Sequence, residues 1–298
     1  METILAVAAL AIMGAALGSF AVASVWRLRA WQLASEQASG EKLTKAELVE
    51  LDHLEKLRGK STTQDRSMCL HCGRALRFSE LIPIFSWLWL RGKCRSCKKP
   101  IGKAEFIAEV GLALAVAVSF MAWPYGFAVW QNIAMFAVWI GMLTILTIHL
   151  IYDAKWFLLL DVVTAALLGL AVVFVGLSVW ADGSLLSWSY AQNVALSLVI
   201  LPGFYGVLYA LSKGRWIGFG DVKLLVPLAL LLASWPHALL MLFLANVLGC
   251  LWILPGMATK KVSRMTRIPF GPFLIVGFFI TFLWGDALIK AYLGTLVF

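Results

Sequence analysis

Two aspartates stand at the edges of long apolar stretches, Asp153 in Leu150-Ile151-Tyr152-Asp153 and Asp221 in Gly218-Phe219-Gly220-Asp221. An ionisable side chain is costly beside the bilayer core and by default marks a working site, so this pair is the first candidate for chemistry. Two carboxylates held within a few ångströms in a low-dielectric site cannot both ionise; one keeps a proton while the other is a base. The base can activate a water against a peptide carbonyl. The acid can protonate the oxygen or the leaving amine, with no acyl-enzyme and no catalytic metal. Gly218 and Gly220 let the backbone around Phe219 leave regular helix and let an extended chain come close. A lone intramembrane aspartate is often only a helix–helix hydrogen bond or a step in an ion pathway; two on one side, one inside Gly-x-Gly-Asp, favour the acid–base pair. Asp161 competes with Asp153: if the intervening eight residues are helical, it lies about 12 Å deeper, in the next apolar stretch, as a supporting acid or a substrate contact. Lys223, two residues past Asp221, either biases the pair electrostatically or snorkels to the interface.

A second constellation is Cys69-Leu70-His71-Cys72 and Cys94-Arg95-Ser96-Cys97, two CxxC knuckles with 21 residues between them. Four thiolates at this spacing can close a tetrahedral zinc site, which is structural because no coordination position stays open. Neighbouring Lys and Arg favour the thiolate, and a reducing compartment favours metal over disulfides. His71, between two ligands, is the rival donor. Cys250 is alone in an apolar run and reads as a small packer.

The elements that must carry these residues are apolar. The chain has 298 residues, 61% hydrophobic and only 14% charged, against about a quarter charged in a soluble domain. Its net charge of +9 does not indicate nucleic acid, because 16 of the 25 Lys and Arg fall between Arg27 and Lys103, in loops beside membrane segments. The pattern predicts an all-α polytopic membrane protein of about eight helices, at about 3–25, 106–123, 127–151, 158–181, 190–212, 219–234, 236–257 and 271–293, the sixth short. The first lacks a basic residue before its apolar run and reads as a retained helix with its N-terminus outside. The basic loops 26–105, 152–157, 213–218 and 258–270 then all face the cytoplasm, and so do Asp153 and Asp221. The predicted division is a first transmembrane helix, 1–26, a cytoplasmic zinc-binding domain, 27–104, and a membrane domain, 105–298. Inside the middle piece Thr44-Lys45-Ala46-Glu47 is a capping box opening an amphipathic helix over Glu41–Lys60 with Leu51, Leu54 and Leu57 on one face, ended by Gly59 and Ser61-Thr62-Thr63.

Taken together the motifs resemble the type IV prepilin peptidases, the bifunctional leader peptidase/N-methyltransferases of pilus and type II secretion systems and members of the GxGD-type aspartic membrane proteases. The resemblance runs in order through Gly18-Ser19-Phe20 with Arg27-Leu28, Cys69-x-x-Cys72, Ile82-Pro83, Ser86-Trp87, Leu90-Arg91-Gly92-Lys93-Cys94-x-x-Cys97, Pro100-Ile101 and Glu109. It continues through Asp153 and Asp161, Gly218-x-Gly220-Asp221-x-Lys223-Leu224 and Ile268-Pro269-Phe270-Gly271-Pro272. It implies a peptidase of the bacterial cytoplasmic membrane that removes the basic leader of prepilins or pseudopilins after a glycine, on the cytoplasmic face, with Asp153 and Asp221 as acid and base. It also implies N-methylation of the new terminus with S-adenosylmethionine, with Gly92 and Glu109 as the residues nearest that role. Glu80, Glu105 and Glu109 are candidates to meet a basic leader, while the basic loops suit anionic membrane lipids. The competing readings are a leader peptidase without methyl transfer and a proton-coupled transporter with a structural zinc module. Transporters, however, place ionisable groups near the midplane of repeated halves, and no repeat is evident here.

Overall fold

The computed structural model describes residues 1–55, 67–182, 187–259 and 268–295. Among these the regular structure is helical, joined by turns and irregular segments, with isolated bridges Met68–Ala75 and Lys93–Pro100. It forms two compact units, Met1–Val118 and Ser119–Phe298.

In the first unit α1 runs from Glu2 to Ala38. At 37 residues it is about 55 Å long, well beyond a hydrocarbon core of about 30 Å, whereas the apolar run alone predicts an end near residue 25. The extension past Arg27 is held by Arg29, only 3% exposed, whose guanidinium donates to Glu50 at 2.9 and 3.1 Å. Glu50 belongs to α2 (Lys45–Leu54), which opens on the expected capping box: Thr44 Oγ1 accepts from the Glu47 amide, and the Glu47 carboxylate accepts from the Thr44 amide at 2.8 Å. Leu51 and Leu54 are buried as predicted, whereas Leu57, Gly59 and Ser61–Thr63 lie outside the described residues. The cysteine segment follows, with the short α3 (Phe85–Trp89), and then α4 (Lys103–Met121). Helices α1 and α4 touch backbone to backbone. A Cβ on Gly14 would stand 2.8 Å from the Leu112 carbonyl oxygen, and one on Gly18 would stand 2.6 Å from that of Ala108. This is a small-xxx-small contact of the kind that substitutes for the hydrophobic effect between helices in lipid.

The second unit holds α5 (Trp130–Trp156), α6 (Asp161–Ala181), α7 (Trp188–Leu198), α8 (Phe204–Ser212), α9 (Phe219–Leu232), α10 (Trp235–Ala258) and α11 (Gly271–Gly294). Helices α7 and α8 form one 25-residue span, Trp188–Ser212, joined through a wide turn at Val199–Gly203 that accommodates Pro202. The centre of the unit is aromatic. Trp139 is fully buried, stacked on Phe282 at 4.2 Å between centroids, and its indole N–H donates to Ser119 Oγ at 2.9 Å.

Seven helices among the described residues are long and apolar enough to cross a membrane. The expected sixth span, 219–234, is the exception: α9 has 14 residues, about 21 Å. It is well buried, with Leu224, Leu225, Leu228 and Ala229 fully covered, and it ends where Ala233 turns left-handed (φ 45°) into α10. The protein is thus an all-α, multi-pass membrane protein with a small four-cysteine module between α1 and α4.

Candidate active site and metal centre

Asp153 lies in the last turn of α5. The helix stops three residues later because Phe157 takes a left-handed conformation (φ 57°) and returns its N–H to the Asp153 carbonyl at 2.9 Å. Asp221 lies in the first turn of α9, whose N-cap, Gly218, is extended (ψ 146°); the Gly218 N–H donates back to the Asp221 carboxylate. Both aspartates are buried, at 5% and 9% exposure. Asp153 is near enough for its charge to act directly on Asp221.

One contact was not visible in the local sequence pattern. The Gly271 N–H, the first amide of α11, donates to Asp153 Oδ2 at 2.9 Å across 118 residues of chain. A Cβ on Gly271 would fall 2.7 Å from that same oxygen, so glycine is required by the close approach. The open N-terminus of a helix favours a carboxylate. Phe270, the preceding residue, packs on Tyr205, and the Tyr205 hydroxyl accepts from Asn246 Nδ2 at 3.2 Å. The two glycines of Gly-Phe-Gly-Asp do different work. Gly218 is extended, whereas Gly220 is inside α9, where a Cβ would meet Leu159 Cβ at 3.0 Å.

Asp161 is not joined to Asp153 by a continuous helix, the condition on which its greater depth was expected. The break at Phe157 restarts the chain, so Asp161 opens α6 at its exposed end. There both carboxylate oxygens accept from Lys223 Nζ at 2.8 Å, with the aspartate side chain 72% exposed. Lys223 also lies 5.0 Å from the centroid of the Phe219 ring. The pair ties α6 to α9 at the rim of the site.

In the first unit the four cysteines come together, their sulfurs all within 4.8 Å of one another and Cys69 Sγ to Cys97 Sγ at 3.9 Å. A tetrahedral four-thiolate zinc with bonds of about 2.3 Å needs sulfurs about 3.8 Å apart, so the set fits a metal of that kind. The two knuckles fold alike. Cys69 N–H donates to the Arg74 carbonyl and Gly73 N–H to that of Cys69; Cys94 N–H donates to Lys99 and Lys98 N–H to Cys94. Gly73 and Lys98 occupy the same left-handed place (φ 68° and 59°). In each knuckle two amides point at the first sulfur, from Cys72 and His71 to Cys69 and from Cys97 and Ser96 to Cys94. Burial opposes ionisation of both. At Cys94 the amides and the neighbouring thiols outweigh it and bring the thiol to about 6, while at Cys69 burial prevails and pushes it up to about 11. Charge on one sulfur thus opposes charge on the next until a cation is shared among them. Cys250 lies exposed on the surface of α10.

Gly92 and Glu109 are both engaged in packing within this unit. Gly92 is left-handed (φ 66°), and a Cβ there would stand 2.9 Å from the Trp87 ring. The Glu109 carboxylate accepts from the Ile84 N–H at 2.6 Å and from Ser19. Glu80 is engaged as well: the Arg77 N–H at 2.8 Å and the Arg74 guanidinium at 2.6 Å hold its carboxyl below the usual range.

Comparison with known proteins divides the chain along the same lines. Residues 12–123, which contain the four-cysteine module, match the bacterial peptidase A24 N-terminal domain. Residues 139–254, which contain Asp153 and Asp221, match the type IV leader peptidase family. The chain is 34% identical over 230 residues to a prepilin leader peptidase/N-methyltransferase of Pseudomonas aeruginosa, covering 76% of this chain and 74% of that one. It is 32% identical over 231 residues to the protein so described in Aeromonas hydrophila, with 76% and 74% covered, and 30% identical over 260 residues to that of Legionella pneumophila, with 84% of each covered. No solved structure matches the chain significantly. Two buried aspartates, a four-cysteine module and these matches over most of the sequence make the chain a peptidase that belongs to the type IV leader peptidase family.

Proposed function

We propose that this protein cleaves the basic leader from type IV prepilins or pseudopilins after a glycine, at the cytoplasmic face of the bacterial inner membrane, with Asp153 and Asp221 as the catalytic pair. It then methylates the new N-terminus with S-adenosylmethionine. The observation that supports this reading most is the burial of both Asp153 and Asp221, the charge of Asp153 acting on Asp221 and Asp153 itself tied to α11 by the Gly271 N–H. The first amide of α11 donates to Asp153 Oδ2 and so favours the ionised carboxylate, which suits Asp153 to the role of base. Asp221, facing that charge, keeps the shared proton and acts as acid. Asp153 takes a proton from water as the hydroxide oxygen bonds to the scissile carbonyl carbon, and Asp221 gives its proton to the carbonyl oxygen. The diol then collapses: Asp153 passes its proton to the leaving nitrogen, the C–N bond breaks, and Asp221 recovers a proton from the collapsing hydroxyl. Every proton is returned, and no covalent enzyme intermediate forms.

The division into a first helix (1–26), a cytoplasmic module (27–104) and a membrane protease domain (105–298) goes with this reading. Cys69, Cys72, Cys94 and Cys97 would hold zinc, which supplies folding energy to a module with few buried apolar side chains. S-adenosylmethionine would supply the methyl group, but the packing of Gly92 and Glu109 does not form a cradle for it, and no step is assigned to them. Peptidase relatives weigh against the proton-coupled transporter reading.

The test is cleavage of a prepilin in detergent by Asp153→Asn and Asp221→Asn separately, with mass analysis of the product terminus with and without S-adenosylmethionine. Both variants should lose cleavage by several orders of magnitude. If both still cut, the aspartyl mechanism is wrong; if the wild-type product never gains a methyl group, the bifunctional reading is.

A further inference from the structure

Between the two knuckles the chain exposes more apolar surface than a water-facing loop carries. Phe78 is 83% exposed, Phe85 73%, Leu88 54% and Trp89 89%. The last three stand at i, i+3 and i+4 in α3 and so share one face of its single turn. Trp87, off that face, turns inward and stacks on Phe106 at 4.6 Å. Ile84, just before the turn, is held at positive φ (65°, ψ −56°) in a tight turn closed by the Phe85 N–H on the Pro83 carbonyl, with its own N–H on Glu109 at 2.6 Å. A β-branched residue in that conformation is strained, and here the strain aims the exposed face.

These two contacts fix the depth of the loop. Phe106 and Glu109 belong to the first two turns of α4, which is itself long and apolar enough to cross a membrane, starting at Lys103. The turn Phe85–Trp89 is therefore pinned where a membrane span enters the bilayer. Cys97 is six residues before Lys103, so the second knuckle is within about 20 Å of that level as well.

The charge in the segment that carries the apolar face is mostly positive. Residues 67–103 contain Arg74, Arg77, Arg91, Lys93, Arg95, Lys98, Lys99 and Lys103 against one acid, Glu80, which is engaged by Arg74. Even with the two negative charges of a four-thiolate zinc centre counted in, the segment keeps a net charge of roughly +5. Aromatic side chains at the level of lipid headgroups, flanked by cations, are the composition of a surface that lies in a membrane interface.

We propose that the loop Phe78–Arg91 is an interfacial wedge. It seats Phe78, Phe85, Leu88 and Trp89 at the headgroup–acyl boundary of an anionic bilayer, with the flanking Arg and Lys on lipid phosphates, and so fastens the four-cysteine module to the membrane surface. The wedge is independent of which reaction the protein performs.

The experiment uses the full-length, metal-loaded protein carrying a polarity-sensitive fluorescent amino acid in place of Trp89. It is reconstituted in phosphatidylcholine vesicles with and without phosphatidylglycerol, and quenched by lipids spin-labelled at shallow or deep acyl positions or by aqueous iodide. The wedge predicts quenching by the shallow label several-fold stronger than by iodide, weakening when phosphatidylglycerol is withdrawn. It also predicts loss of at least about two-thirds of the lipid quenching in a Phe85→Ser/Leu88→Ser background whose metal content stays at one equivalent. Strong iodide quenching without lipid quenching overturns the proposal, because the loop is then in water. Shielding from both quenchers overturns it in favour of a protein-covered face, and shielding that appears only with added prepilin overturns it in favour of a substrate dock. Lipid quenching indifferent to phosphatidylglycerol overturns the role of the cations.

Discussion

Replacing Gly271 by alanine adds one methyl group 2.7 Å from Asp153 Oδ2, where the Gly271 N–H now donates at 2.9 Å. A carbon and an oxygen in contact need about half an ångström more than that, so the carboxylate must retreat from the amide and from the position it shares with Asp221. The atom that yields is the tip of a side chain, so the fold should barely notice. The chemistry should: a hydrogen bond to a charged group contributes about 1.5–3 kcal/mol, and a misplacement approaching 1 Å costs up to about 100-fold in rate. The expected result is a fall in kcat of about 30- to 100-fold, equivalent to about 2–2.7 kcal/mol in the barrier, with KM within about threefold. The assay is steady-state prepilin cleavage in detergent beside a thermal melt. Gly169→Ala is the control, because nothing lies within 4 Å of a Cβ at that position on α6. Should Gly271→Ala keep kcat within threefold of wild type, the amide does not hold the base and the assignment of Asp153 falls.

Arg29→Ala removes a buried guanidinium from Glu50 and Glu47, leaving carboxylates where α1 meets α2. It should destabilise that contact by about 3 kcal/mol, read as faster limited proteolysis between residues 39 and 44, with cleavage activity less affected. Lys223→Ala breaks an ion pair whose aspartate is mostly in water, so stability should change by less than about 1 kcal/mol and activity by less than about fivefold. A much larger loss would mean that the pair does more than tie α6 to α9. Glu80 has a folded-state pKa below its ordinary 4.5, chiefly through the Arg77 amide. Its contribution is therefore complete above about pH 4.5 and disappears as pH falls through the lower folded value. Glu80→Gln should lower the melting temperature at pH 7, and the difference should shrink as pH falls below about 4.5, checked by melting both proteins across an acid pH series.

Most of the helices and the cysteine knuckles could be read from composition, spacing and motif, because each depends on residues near one another in the chain. Three features could not. The length of α1 depends on Arg29 finding Glu50, 21 residues away. The exposure of Asp161 depends on one left-handed residue, Phe157, whose type gives no warning of that conformation. The anchoring of Asp153 depends on an amide 118 residues distant, and backbone donors leave no mark in a pattern of side chains. Gly14 and Gly18 were legible as a spacing of four between small residues in an apolar run, but the family signature at Gly18-Ser19-Phe20 drew attention to one of them only.

The shortness of α9 has a consequence for hydration. At about 21 Å it falls roughly 9 Å short of an average hydrocarbon slab, and its far end is already committed to the turn at Ala233. If the Ala233 turn lies at the opposite face of the bilayer, the deficit falls at the Asp221 end, where a funnel of solvent can fill the gap. A hydrolase buried in oil must recruit its second reactant from somewhere, and a truncated central helix admits it without a dedicated channel. Thicker membranes should deepen that funnel at growing elastic cost, making turnover depend on acyl-chain length.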